Sequence, residues 1–140
     1  MNEQLTAALR AEYAAIFAYG VIGARLKGDS AATARAAESA HRDRRDSLTV
    51  LLSGDSARVP AAEPAYALPF PVTDRVSALR LAIEIETRTA AVWRAVLPVT
   101  TGERRRQALD GLTDCAVRAV RWRRVAGITP ATVVFPGRPA

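Results

Sequence analysis

The sequence predicts an all-α protein: a four-helix bundle built as two helical hairpins joined by one long crossover, with an extended C-terminal tail. Three observations predict it. Alanine is abundant and aromatic residues make up only 6% of the chain, which favours close-packed helices over a sheet. Apolar residues recur at steps of three and four through four long stretches. Caps and breakers leave two tight turns and one long proline-rich connection between those stretches.

The spacing predicts a first helix over about 3–26, with an apolar stripe through Leu5, Ala8 or Leu9, Ile16, Tyr19, Ile22 and Leu26. Gly28 stops it, and Asp29-Ser30 caps a second helix over about 30–52, which Gly54 closes. Pro60, Pro64, Pro69 and Pro71 forbid a regular helix over the crossover, 55–72. Tyr66, Leu68, Phe70 and Val72 give that stretch apolar side chains with which to pack along the helices. Thr73-Asp74 caps a third helix over about 74–97, ended by Pro98. A fourth follows over about 101–126, ended by Gly127. The tail, 127–140, reads as extended, with Val133, Val134 and Phe135 expected to cover one end or groove of the bundle. Short loops imply antiparallel neighbours, and the long one lets the chain traverse the bundle.

The chain of 140 residues reads as one domain, large enough to bury a core without help from disulfides. Its single cysteine, Cys115, permits no internal disulfide and points to a cytoplasmic location. The start, MNEQLTAALRAEY, lacks the basic-then-apolar order of a signal peptide, and no apolar run approaches the length of a membrane span. The net charge is +6, nearly all of it arginine. Basic residues are spread over several helices with no nucleic-acid-reading module, so no nucleic-acid role is expected. Alanine-rich helix faces make a homodimer the expected assembly.

Residues three and four apart share a helix face. On the third helix the inward stripe is Val76, Leu79, Ile83, Ala90, Trp93 and Leu97, and Glu86 falls within it, whereas Glu84 falls with Ser77 and Arg88 on the surface. On the first, Glu12 sits between Leu9 and Ile16 in the same way. On the second, the line back from Leu52 through Leu48 and Arg45 meets His41 and Glu38. Each of three helices thus places acid near the middle of its core face. A carboxylate there must be paired, hydrogen-bonded, protonated or metal-bound.

The segments LTAALRAEYAAIFAYG, ESAHRDRRD, EIETRTAAVWR and VRWRR, taken together, resemble the ferritin-like superfamily, and most closely an actinobacterial family of ferritin-like domains of unknown function. The resemblance spans nearly the whole chain. In metal-binding members, helix one supplies a Glu, helix two a Glu-x-x-His, helix three a Glu and helix four a second Glu-x-x-His. Glu12, the Glu38/His41 pair and Glu86 match the first three. The fourth helix departs from the pattern: Leu112-Thr-Asp-Cys-Ala-Val carries no Glu and no His, and Asp114 falls on the polar face, away from a core line of Leu109, Leu112, Ala116 and Ala119.

Two expectations follow. In one, Glu12, Glu38, His41 and Glu86 hold a single iron or manganese ion, or zinc, in an oxidase or storage protein. In the other, favoured because half of a second metal's ligands are missing, no cofactor is bound. Arg45 then bridges Glu12 or Glu86 in the ion's place, Tyr19 donates to a core carboxylate, and the domain is structural or an interaction module without catalysis. Cys115, Trp93 and Trp122 read as packing residues. The basic surface leaves a further expectation, a partner-binding module.

Overall fold

The computed structural model describes residues 1–139 and is all-helical. Four α-helices follow in order: α1 Asn2–Gly23, α2 Gly28–Gly54, α3 Arg75–Val96 and α4 Gly102–Val125. A 3-10 turn, Leu97–Val99, lies between α3 and α4. No strand occurs among the described residues. α1 packs on α2 and α3, and α3 on α4, while α2 and α4 touch more sparsely.

Local chemistry sets the helix ends. Asp74 caps α3 by accepting from the Ser77 N–H at 2.8 Å, and the Ser77 hydroxyl returns to the Asp74 N–H in a capping box. α1 stops at Gly23, earlier than its apolar pattern, because the chain turns there: Leu26 N–H bonds the Gly23 carbonyl at 3.3 Å and Leu26 still reaches the core. Gly28 opens α2 at φ +59°, a backbone state that favours glycine. At the other turn the Thr100 hydroxyl is buried and bonds the Val96 carbonyl at 2.8 Å.

The connection over 55–74 is pinned to the helices. Tyr13 donates to the Pro60 carbonyl at 3.2 Å, the Phe17 and Tyr66 rings lie 5.7 Å apart, and the Arg80 guanidinium sits 4.1 Å over Phe70. Arg104 forks onto Asp55 at 2.5 and 2.7 Å, tying the start of α4 to the end of α2. In the tail, Arg94 and Arg123 donate to the carbonyls of Pro136 and Ala131. Val133 and Phe135 line a groove against α4 but stay half-exposed, and Val134 points to solvent at 84% exposure. Ala140, the last residue of the expected tail, lies outside the described residues.

Two core faces are rotated from the expected ones. Val76 is 75% exposed; Ala78, Leu81, Ala82 and Ile85 are buried on α3 instead. On α4, Leu109 is exposed, and Ala108, Gly111, Cys115, Ala119 and Trp122 face inward. Burying the large ring of Trp122 fixes the phase of this helix, and the smaller leucine is the residue that yields. α1 also differs from expectation, being long and apolar enough to cross a membrane (mean hydropathy 1.3). Its fully buried Glu12 and its packing on two other helices are those of a core helix.

The apolar core divides in two. One cluster gathers Tyr19, Ile22, Leu81 and Trp122; the other gathers Leu5, Leu9, Leu48 and Trp93. On α1, α2 and α3 the residues of the two clusters are separated by Glu12, His41 and Glu86 respectively. A polar layer therefore crosses the middle of the core.

Candidate functional site: a buried carboxylate–imidazole–carboxylate layer

Glu12, His41 and Glu86 have no solvent exposure at all. The imidazole of His41 lies between the two carboxylates. Its Nδ1 is 2.5 Å from Glu12 Oε2, and its Nε2 is 2.9 Å from Glu86 Oε1. Each outer carboxylate accepts a further bond. Trp93 Nε1–H donates to Glu12 Oε1 at 2.7 Å, and the Tyr19 hydroxyl donates to Glu86 Oε1 at 2.6 Å. Trp122 Nε1–H donates in turn to the Tyr19 oxygen at 2.9 Å. The result is one chain of hydrogen bonds, Trp93–Glu12–His41–Glu86–Tyr19–Trp122, drawing on all four α-helices.

The electrostatics follow from this geometry. Burial pushes the His41 pKa down, but hydrogen bonds to Glu12 and Glu86, then their charges, outweigh it and hold the value at about 9. His41 is therefore an imidazolium at neutral pH, with an N–H for each carboxylate. Burial, then the Glu86 charge, pushes the Tyr19 phenol well above its ordinary value. Burial, then the charges of Glu86 and Glu12, does the same to the Cys115 thiol, which lies beside the layer on α4. The hydroxyl and the thiol stay neutral, as donors.

Glu38 and Arg45 stand outside the layer. Glu38 is turned outward and accepts from Arg42 at 2.8 Å. Arg45 bonds Asp46 next to it at 2.8 Å and reaches neither Glu12 nor Glu86, so the expected guanidinium bridge does not form. The reason is helical phase. From His41 the inward line of α2 runs through Ala37 and Leu48, which leaves Glu38 and Arg45 on one flank. Arg44, on the other flank, turns toward α4, where it pairs with Asp114 and sits 6.0 Å from the Trp93 ring. Arg118 also approaches Asp114, at 3.9 Å. The roles of Trp93 and Trp122 as donors were not foreseen; the available signal was that a buried indole N–H requires an acceptor.

The donor set does not fit the paired-metal centre that the ferritin-like resemblance implies. A ligating imidazole must aim a ring lone pair at the ion. Both His41 nitrogens are committed to carboxylates, Glu12 Oε1 is taken by the Trp93 indole, Glu86 Oε1 also accepts from Tyr19, and Glu86 Oε2 alone of these oxygens has no hydrogen-bond partner among the described residues. Among the described residues, no group of three or more His, Cys, Asp or Glu side chains is arranged to hold a metal. What the layer can do chemically is store a charge and a proton while fixing the relative positions of the four helices.

Residues 4–140 match the family described as Domain of unknown function (DUF4439). A solved structure, described as the crystal structure of a conserved hypothetical protein, rv2844, from Mycobacterium tuberculosis, is similar over 96% of each chain, with 38% identity and a TM-score of 0.87. No curated protein matches.

Proposed function

Since the chain belongs to the DUF4439 family of domains of unknown function, we propose that it is a ferritin-like four-helix bundle, two hairpins joined by the 55–74 crossover, whose ancestral metal layer has become a buried ionic network. On this reading the domain is non-catalytic and serves as a structural or interaction module. One observation carries the reading: His41 sits between Glu12 and Glu86 and engages both through its two ring nitrogens, so a protonated side chain holds the place that an ion would need. The imidazolium thus supplies one positive charge to the two carboxylates from within the layer.

The test is metal content. Protein expressed in medium supplemented with iron and manganese should carry far less than stoichiometric metal by mass spectrometry. Stoichiometric iron or manganese, lost in His41→Ala with helix content preserved, would replace this reading with a metal-dependent one.

A further inference from the structure

The outer face of α3, α4 and the tail carries two apolar hollows. One, of about 430 Å³, is lined by Leu112, Val117 and Val120 of α4, by Val133 and Phe135 of the tail, and by Arg94. The other, of about 660 Å³, is lined by Leu97, Pro98, Leu109, Arg105 and again Arg94. Arg94 borders both, so the two hollows lie side by side along about three turns of α4, with Leu109 on one and Leu112, Val117 and Val120 on the other. Their apolar side chains are open to solvent: Leu109 is 51% exposed, Val117 42%, Val133 50% and Phe135 57%. Exposed apolar side chains gathered in this way are available to a partner.

The charge in the groove has one sign. Among the described residues, Arg94 and Arg105 are its charged lining residues, and each spends its described hydrogen bond on a neutral carbonyl, that of Pro136 or Leu97. Neither is in an ion pair among the described residues. By contrast, the hollow between α2 and α4 is lined by Asp43, Asp110 and Asp114 around Arg44. We propose that the α3–α4–tail groove docks an amphipathic helix of a protein partner, with leucine-like side chains toward Leu109, Val117 and Phe135 and acidic residues over Arg94 and Arg105. Length, apolar floor and unpaired basic rim all match such a helix-in-groove mode. A second copy would bring the same basic rim and, among the described lining residues, no acid to meet it. The proposal rests on the reading of the domain as an interaction module, and it is measured independently of metal content.

The test uses the whole chain and a fluorescein-labelled helical peptide of about four turns, with leucine at i, i+3, i+4 and i+7 and glutamate elsewhere. A matched peptide carries lysine for glutamate. The glutamate peptide should bind at least about tenfold more tightly at low salt, and its affinity should fall as salt rises. Val117→Asp and Arg105→Glu should each weaken it about tenfold, with Glu84→Gln on another surface leaving it unchanged. Both altered residues are solvent-accessible, and thermal melts of each variant check that it still folds. Equal binding of the two peptides, no binding of either, or indifference to both substitutions overturns the proposal. So does binding only to phosphatidylglycerol vesicles, or a concentration-dependent dimer that Val117→Asp abolishes.

Discussion

The Trp93 ring occupies the space that a side chain on Gly111 would need: a Cβ there would meet the ring carbons at 2.6–2.9 Å. Glycine inside a helix costs about 1 kcal/mol relative to alanine. Here it seats the indole whose N–H bonds Glu12 at 2.7 Å. The fourth helix thus serves the polar layer by leaving room for the ring. Gly111→Ala gains about 1 kcal/mol of helix propensity but overpacks the core, which costs about 1–3 kcal/mol, on top of the loosened bond to Glu12. A net destabilisation in urea unfolding and a red-shifted tryptophan emission are expected. A stabilised variant with unchanged emission would show that Trp93 is not held there.

His41→Ala removes the cation between two buried carboxylates. Breaking a buried ion pair from one side costs about 3–5 kcal/mol, because the remaining charge is stranded. Adding Glu12→Gln and Glu86→Gln to that variant should recover part of the loss, since neutral amides bury more easily and can still accept from Trp93 and Tyr19. Urea unfolding of the single, double and triple variants measures the coupling. Strict additivity would mean that the three residues do not act as one network.

The layer also sets a pH dependence. His41 titrates near 6.5 in an unfolded chain and at about 9 in the fold. The folded state holds this proton more tightly, so the stability it contributes is complete below pH 6.5 and is lost as pH rises through about 9, an effect on the order of 3 kcal/mol. The raised values of Cys115 and Tyr19 act in the same direction further into alkali. The urea midpoint should therefore fall from pH 6.5 to above 9, and His41→Ala should flatten the earlier part of that fall.

Glu12, His41 and Glu86 were legible in the sequence because each interrupts an apolar stripe at a similar depth. Their flanking partners were not. A helix face continues at a step of either three or four, so from His41 the lines Glu38–His41–Arg45–Leu48 and Ala37–His41–Arg44–Leu48 fit the spacing equally well. The bundle, in which α2 packs chiefly on α1, buries Ala37 and Leu48 and leaves Arg44 to pair with Asp114 of α4. The same ambiguity misplaced Leu109 on α4 and Val76 on α3. It also yields a contrast to measure. Glu38→Ala and Arg45→Ala remove only partly exposed pairs and should change stability by less than about 0.5 kcal/mol. Glu12→Ala, by the stranded-partner argument, should cost several times more. Similar losses at all three positions would place Glu38 and Arg45 inside the layer after all.

Cys115 offers a reporter of whether this layer ever opens. The thiol is fully buried, and burial, then the nearby carboxylates, pushes its pKa well above the ordinary value. Both effects suppress the thiolate, which is the reactive form. In the native protein at pH 8, labelling by a disulfide reagent should therefore proceed only through opening of the helices around α4. Its rate should rise with urea and reach that of a free thiol once the chain unfolds. His41→Ala and Gly111→Ala, which loosen the layer from opposite sides, should speed labelling in proportion to their loss of stability if opening is global. If the sparse α2–α4 contact yields on its own, Asp114→Asn should speed labelling with little change in the urea midpoint, because it releases Arg44 and Arg118 at that seam. Rapid labelling of the unaltered protein at pH 8 would contradict the burial of Cys115 beside Glu86.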